Sequence, residues 1–347
     1  MGEGGDLGIV VAVPGGSADG LALPSARREL VAWAGRDGAK RTFEFLASTI
    51  RNPHTRRAYN RAAVRFMQWC NARSLPLVDV ESLHVAAYID ELAEGGPVNP
   101  LTGKREPPPL AKLSVKQHLA AIKHWLDHLV TGHVLTINPA HAVRGPRYSQ
   151  NTGKTPILER DQARALLESI DAGTIAGARD KALIAVMLFS FARIGALVGM
   201  RVRDYRGAGT GSASFELQEK GGKFHRVPAH HLAAVHLDAY LAISGLRDTP
   251  DAPLWQGMPA RMSKLSGKAM TQRAALDIVK RRCMAAGLPH DICNHSFRAT
   301  GITLHQDAGG DIEAARQIAN HASVKTTQLY NRSGDKKKRA EVERVQL

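Results

Sequence analysis

Apolar positions recur at the three- and four-residue spacing of amphipathic helices along most of this 347-residue chain. The first clear stripe comprises Tyr59, Ala63, Phe66, Met67 and Cys70. A second helix is predicted at 81–94, where two glycines and a proline end it, and a third begins near Ser114. Together these patterns predict a helical bundle in this part of the chain.

Farther along, the same periodicity predicts more helices and one hairpin. The helices are expected at 159–170, across the apolar run 183–191, and at 232–243, 271–286, 296–305, 312–319 and 324–331. Two short β-prone runs, SASFELQ and FHRVP, flank the glycine-bearing segment 219–223, as in a β-hairpin. The predicted fold class is therefore mainly α with a small antiparallel β-sheet.

Breaks in the periodicity suggest how the chain divides. Between Asn138 and Pro156 there are three prolines and two glycines but no apolar pattern, which is typical of a linker. The beginning of the chain is rich in Gly, Ala and Ser, with at most a short helix near Trp33. We expect a flexible arm at 1–42, a helical domain at 43–145, a linker at 146–156 and a second domain at 157–347.

The formal charge of +15 and the pI near 10.0 predict a polyanionic partner, because contacts to phosphates release condensed counterions. A ribosomal or merely basic protein would share this composition. Two predicted helices of the bundle carry a basic face besides their apolar one. These candidate DNA-binding residues are Arg57, Arg61 and Arg65 on the first helix and Lys112, Lys116 and Lys123 on the third. Ordinary solvated faces remain the alternative for either helix.

The three cysteines, Cys70, Cys283 and Cys293, are scattered and form no CxxC pair, which fits neither a disulfide framework nor a zinc site. The apolar run 7–13 is short, lacks a preceding basic region and is followed by Pro-Gly-Gly. It fits neither a signal peptide nor a membrane span. We therefore expect a cytoplasmic, nucleoid-associated protein that does not associate with a membrane.

The segment from His290 to Ser333 contains several residues with side chains suited to catalysis. They are His295, Arg298, His321 and Tyr330, which together could bind and attack a phosphodiester. Taken singly, each has an ordinary structural explanation. Buried arginines usually belong to ion pairs, lone histidines usually have satisfied hydrogen bonds, and a tyrosine at a helix end usually packs. Their order in the chain, together with upstream residues, carries more information.

Four segments, ARIGALVGMRVRD, EKGGKFHRVP, HSFRATG and NHASVKTTQLY, resemble the signature segments of the tyrosine recombinases, the phage-integrase family. They supply, in order, Arg193 after an apolar helix, Lys220 in a hairpin, an HxxR motif, and then a histidine and a tyrosine. The last two residues are 330 − 321 = 9 positions apart, which is the usual spacing in the family. The segments fall between about 155 and 330.

The resemblance implies a helical, SAM-like core-binding domain followed by a mixed α/β catalytic domain, which together form a C-shaped DNA clamp. It also implies a homotetramer that acts on two double-stranded DNA recombination sites through a covalent 3′-phosphotyrosyl intermediate. Neither a cofactor, a metal nor a small-molecule substrate is expected. The alternatives are a type IB topoisomerase-like enzyme, which rejoins the original ends, and a catalytically weak DNA-binding relative.

Within this family pattern, Tyr330 corresponds to the nucleophile, and His295 is the candidate that assists its deprotonation. The guanidinium groups of Arg193 and Arg298 suit non-bridging phosphate oxygens, because each can donate paired hydrogen bonds. His321 is expected to hydrogen-bond the scissile phosphate.

Lys220 occupies the position of the family's proton-donating lysine, and Lys223 is more consistent with a contact to the DNA backbone. One departure stands out. Many family members have an acidic residue three positions after the first arginine, whereas this chain has Ala196. The orientation of Lys220 or of the arginines is therefore expected to differ from that in the family, which would affect the reaction rate rather than the reaction type.

Overall fold

The computed structural model describes residues 24–98, 100, 102–148, 153–208, 212–219, 222–259 and 264–330. The chain divides into two compact units, Met1–Ser149 and Gln150–Leu347. Each unit has its own hydrophobic core. The point of division lies inside the segment 146–156 that the composition indicates as a linker.

The first unit is a helical bundle. Its elements are α1 (Pro24–Glu44), a π-helical turn (Phe45–Thr49), α2 (Pro53–Asn71), a 3₁₀ turn (Leu77–Asp79), α3 (Ser82–Glu94) and α4 (Lys112–Thr131). The three helices that the apolar periodicity predicts correspond to α2, α3 and α4. Asn52 begins α2, since its side chain accepts from the amides of His54 and Thr55.

The N-terminal segment differs from the expectation of a flexible arm at 1–42. Residues from Pro24 onward form α1, whose Leu30 and Trp33 are buried in the core of the bundle. The Trp33 ring lies 5.7 Å from that of Trp125, and the Trp125 indole N–H donates to Thr42 at 3.0 Å. The weak periodicity misled the prediction, because a kink at Gly35 (φ 73°) rotates one half of the helix against the other. Residues 1–23 lie outside the described part.

The second unit is mainly helical with one small sheet. Its elements are α5 (Arg160–Glu168), α6 (Ile175–Ser190), α7 (Ile194–Val198), a 3₁₀ turn (Val202–Asp204), β1 (Tyr205–Arg206), β2 (Ser214–Gln218), β3 (Phe224–Pro228), α8 (His231–Ser244), α9 (Gln272–Ala285), α10 (Asn294–Asp307), α11 (Ile312–Ile318) and α12 (Val324–Gln328). The mainly α class with a small antiparallel sheet is confirmed.

The sheet contains the expected hairpin and one further strand. Its order is β1-β2-β3 with antiparallel pairs, and Phe215 faces Val227 across the hairpin. The two-residue strand β1 and the five-residue helix α7 escaped the sequence pattern, because both are too short for a periodicity to develop. The first candidate arginine, Arg193, lies between the end of α6 and the start of α7.

Helix α6 is the centre of the second unit and is buried on nearly every side, packing against α8 and α10. Its close approach to α10 requires Gly301, where a Cβ would lie 2.1 Å from the Leu188 carbonyl oxygen. Phe191 ends α6 in the left-handed conformation (φ 53°), which turns the chain toward Arg193. The two helices therefore fix the positions of both candidate arginines.

Among the described helices, none is long and apolar enough to cross a membrane.

Candidate active site

Helix α10 supports the HxxR motif of the sequence. His295 and Arg298 are three residues apart and therefore project from one helical face. Arg298 is 1% exposed, and its guanidinium donates to two backbone carbonyls, that of Phe191 and, at 2.6 Å, that of Ala319. Both carbonyls belong to residues that end helices, α6 and α11, where unpaired acceptors are expected. Arg298 thus joins three helices.

Burial, followed by the charge of Arg193, lowers the pKa of Arg298 to about 10. The group therefore remains charged at neutral pH. A guanidinium has five N–H donors, so the two bonds to backbone carbonyls leave others for a ligand. Arg298 combines a fixed position with remaining capacity to donate to a phosphate.

Tyr330 follows α12 and lies against His295 and His321. Its hydroxyl is 2.6 Å from His295 Nε2, and its ring is parallel to that of His321 with centroids 5.5 Å apart. Its backbone carbonyl accepts from the Thr303 hydroxyl at 2.7 Å, which ties the end of α12 to α10. The tyrosine is therefore held by its backbone as well as by its hydroxyl.

The environment of His295 and His321 disfavours the protonated form of both rings. Burial, then Arg298 and Arg193, lowers the pKa of His321 to about 3 and lowers the pKa of His295 in the same direction. His321 is 3% exposed and its Nδ1 lies 2.9 Å from the Thr327 hydroxyl. At neutral pH both rings are neutral, so the ring nitrogen of His295 that faces Tyr330 can accept a proton.

Arg193 precedes α7 and belongs to the same electrostatic site, since its charge acts on His295, Arg298 and His321. Its side chain is 43% exposed, and Nη1 donates to Glu219 Oε2 at 2.6 Å. The Glu219 side chain is only 4% exposed. Arg193 is thus more accessible than Arg298 and is held by a carboxylate rather than by backbone.

Five of the six predicted catalytic residues are described, and the structure brings them together in the second unit. Lys220 lies outside the described residues. Lys223 is exposed on the same connection, where its carbonyl accepts from the Glu219 amide at 2.8 Å. Lys223 therefore lies in the connection that Glu219 begins.

Glu219 is a residue of the site that the sequence analysis did not single out. It is acidic, directly precedes Lys220 and follows a buried strand, and these features together were an available signal. Ala196 lies in α7 and is buried, at 7% exposure. Its methyl group offers no acceptor to either arginine.

Apart from Lys223, the candidate DNA-binding residues lie on the first unit. Arg57, Arg61 and Lys116 are exposed, whereas Arg65 and Lys123 are half-buried. Arg57 lies 3.0 Å from His54 Nδ1, and Lys123 donates to the His141 carbonyl at 3.1 Å, which partly occupies these two groups. Burial, then Arg65 and Arg61, lowers the pKa of His118. The charges of Arg61 and Arg65 therefore act on His118 of α4, and the contact of the α2 face with DNA stays a prediction.

Comparison with known proteins agrees with this geometry. The model of the family described as "Phage integrase family" matches residues 156–337. The tyrosine recombinase XerC 1 of Ralstonia nicotianae is 29% identical over 289 residues, which cover 80% of this chain and 83% of the relative. Among solved structures, the XerH recombinase in a post-cleavage complex with palindromic difH substrate has a TM-score of 0.66 at 16% identity, covering 93% of this chain and 98% of that one.

A lambda integrase tetramer bound to a Holliday junction shares the fold as well. Its TM-score is 0.58 at 16% identity, and the match covers 85% of this chain and 77% of that one. The family match spans more than half of the chain and includes every predicted catalytic residue. The chain belongs to the phage integrase family, the tyrosine-type site-specific recombinases that cleave and rejoin DNA.

Proposed function

We propose that the protein cuts and rejoins DNA at a specific site through a covalent 3′-phosphotyrosyl intermediate, and exchanges strands between two sites. The observation that carries this proposal is the 2.6 Å contact between the Tyr330 hydroxyl and His295, beside the buried Arg298. A nucleophile, a neutral base and a fixed cation at one point are what phosphoryl transfer to a tyrosine requires.

In the first step, the Tyr330 oxygen attacks the scissile phosphorus while its proton passes to His295 Nε2. A free tyrosine with a pKa of ~10 is mostly protonated at neutral pH, so it needs such an acceptor. The lowered pKa of His295 keeps the ring neutral and able to accept before the attack. The parallel His321 ring limits the tilt of the tyrosine, which favours an in-line approach.

Charge builds up on the non-bridging oxygens as the new P–O bond forms. We assign their stabilisation to Arg298 and Arg193, whose guanidinium groups can each donate to two oxygens. His321 is neutral, and its Nδ1 is near Thr327, so Nε2 is the nitrogen left for the phosphate. The protein groups thus position the phosphate and stabilise its developing charge.

The bond that breaks joins phosphorus to the 5′ oxygen of the next nucleotide. That oxygen leaves as a hydroxyl after it takes a proton, which we assign to Lys220 because that residue stands at the family's lysine position. The energy of the phosphodiester is kept in the phosphotyrosyl bond. A 5′ hydroxyl from a partner strand then attacks this bond and releases Tyr330 by the reverse steps.

Strand exchange needs two sites and several protomers, and we propose a homotetramer on double-stranded DNA. The support is the likeness of this fold to that of the lambda integrase tetramer on a Holliday junction. The exposed Arg57, Arg61 and Lys116 would add phosphate contacts from the first unit, and Lys223 from the second. Because DNA is the substrate, we place the protein in the cytoplasm with the nucleoid.

The test uses a binding site selected from random duplexes, rebuilt as a substrate nicked near the cleavage point so that rejoining is prevented. The wild-type protein is expected to form an adduct that survives denaturing electrophoresis. Tyr330→Phe should lower adduct formation by at least ~10³-fold, since no other oxygen takes the tyrosine's place. DNA affinity should not change.

Three outcomes decide between the alternatives. Absence of an adduct with the wild type would leave a DNA-binding relative. An adduct followed by rejoining of the original ends alone, even with a second site present, would indicate topoisomerase-like activity. Exchange between two labelled sites supports the recombinase.

A further inference from the structure

The hairpin that carries Lys220 is joined to the active-site arginine by a buried carboxylate. Glu219 stands one residue beyond β2, and its side chain is 4% exposed. Its Oε2 accepts from Arg193 Nη1 at 2.6 Å. In the described part of the chain, no other hydrogen bond to the Arg193 guanidinium is found. Its remaining N–H groups are therefore available to a ligand.

The backbone of Glu219 is fixed as firmly as its side chain. Its amide donates to the Lys223 carbonyl at 2.8 Å, and its carbonyl accepts from the Gly222 amide at 3.1 Å. These two bonds close the base of the connection between β2 and β3. The carboxylate that holds Arg193 is therefore anchored to the end of β2 and the start of β3.

Among the described residues, no second carboxylate is paired with Arg193. Arg193 starts a helix of only five residues, and its side chain is 43% exposed. Three positions later on that helix, Ala196 presents a methyl group, where an acidic side chain would have been within reach of Arg193. Arg193 has four bonds to rotate about, so an unsupported guanidinium would lose considerable conformational entropy on binding a phosphate.

We propose that Glu219 is the positioning residue for Arg193, and that it supplies from the hairpin the carboxylate that Ala196 does not supply from α7. The proposal deepens the proposed function and rests on it. Glu219 touches neither the nucleophile nor the phosphate. It orients the guanidinium of Arg193 from a backbone position that its bonds to Gly222 and Lys223 fix.

The electrostatics of the site agree with this assignment. Glu219 acts to raise the pKa of Arg298, opposing the stronger lowering by burial and by Arg193. One carboxylate therefore offsets the mutual repulsion of two guanidinium groups before any phosphate binds. On the substrate's arrival, both arginines are already charged and in place.

The experiment compares Glu219→Ala with a swap variant, Glu219→Ala combined with Ala196→Glu, which has the same composition as the wild type. Both are assayed for the rate of adduct formation on the nicked duplex and for DNA affinity. Glu219→Ala is expected to lower the cleavage rate about 10- to 100-fold with affinity within about twofold, as for loss of an orienting partner behind a functional group. The swap should recover at least about tenfold, because the carboxylate returns to Arg193 from the other side.

Glu216→Gln is the matched control. Glu216 lies on the same strand, is similarly buried, and forms ion pairs with Arg206 and Arg226 at 3.3 and 2.5 Å, none of which belongs to the site. Its cleavage rate should stay within about twofold of wild type. An equal loss in Glu216→Gln and Glu219→Ala, a wild-type rate in Glu219→Ala, or a swap variant as slow as Glu219→Ala would each overturn the proposal.

A crystal structure tests the positioning role of Glu219 independently of recombinase activity. If the wild type forms no adduct, the recombinase proposal fails, but the position of the Arg193 guanidinium in wild type and in Glu219→Ala still decides the inference. The guanidinium is expected on Glu219 in the wild type and displaced in the variant. An unchanged guanidinium position in Glu219→Ala would contradict the positioning role.

Discussion

The two arginines of the site are held in contrasting ways. Arg298 is buried, projects from a 14-residue helix and donates to the backbone carbonyls of Phe191 and Ala319. Arg193 is 43% exposed, precedes a five-residue helix and is held by the Glu219 carboxylate. The first is part of the core of its unit, whereas the second depends on one side chain from a hairpin.

Because of this difference, a substitution of Arg298 is expected to affect both folding and catalysis, whereas a substitution of Arg193 is expected to affect catalysis alone. Loss of Arg298 would leave two buried carbonyls without their donor, so its effect on rate cannot be separated from its effect on stability. Arg193 is 43% exposed, and a lysine at this position would still place a positive charge against the buried Glu219 carboxylate. The side chain at position 193 is therefore the one that can change without unfolding the protein.

Arg298→Ala is expected to have the largest effect. Cleavage should fall by at least ~10³-fold because a charge beside the phosphate is lost. The free energy of unfolding should fall by about 2–5 kcal/mol, since the carbonyls of Phe191 and Ala319 lose their donors inside the protein. Adduct assays and urea unfolding measure the two losses. Unchanged stability would show that the backbone bonds do not hold the three helices together.

Arg193→Lys should reduce cleavage about 100-fold while leaving stability nearly unchanged. Lysine keeps the charge but cannot donate to two phosphate oxygens in a fork, and it pairs less rigidly with Glu219. Urea unfolding should agree with wild type within about 0.5 kcal/mol. A loss of stability as large as that of Arg298→Ala would remove the contrast between the two arginines.

The smallest expected effect is a change in the pH dependence of stability in His321→Gln. The pKa of His321 in the folded protein is lowered from 6.5 to about 3. Below pH 6.5 His321 binds a proton in the unfolded chain but not in the folded protein. Its contribution to the free energy of unfolding is therefore fully present above pH 6.5 and is lost as the pH falls toward 3. The slope from this residue is up to about 1.4 kcal/mol per pH unit.

His321→Gln should flatten the stability curve by that amount between pH 6 and about 4, as measured by urea unfolding at each pH. Parallel curves for wild type and variant would show that the histidine titrates normally in the folded protein.

The sequence was sufficient for what depends on periodicity and on motif order. Apart from α1 and α7, the helices of both units and the hairpin follow from apolar spacing, and the order from Arg193 to Tyr330 led to the family. The sequence missed features that arise from tertiary contacts. Helix α1 is kinked at Gly35, so its apolar positions do not form one stripe. Glu219 became part of the site only when the strand register brought it to Arg193.

The covalent adduct itself tests the central claim most directly. Wild-type protein trapped on the nicked site is digested with protease, and mass spectrometry identifies the peptide that carries the nucleotide. The predicted result is a single modified residue, Tyr330, linked to a 3′ phosphate, with a free 5′ hydroxyl on the released strand. A nucleotide on any other residue, or a link to a 5′ phosphate, would contradict the assignment of nucleophile and leaving group.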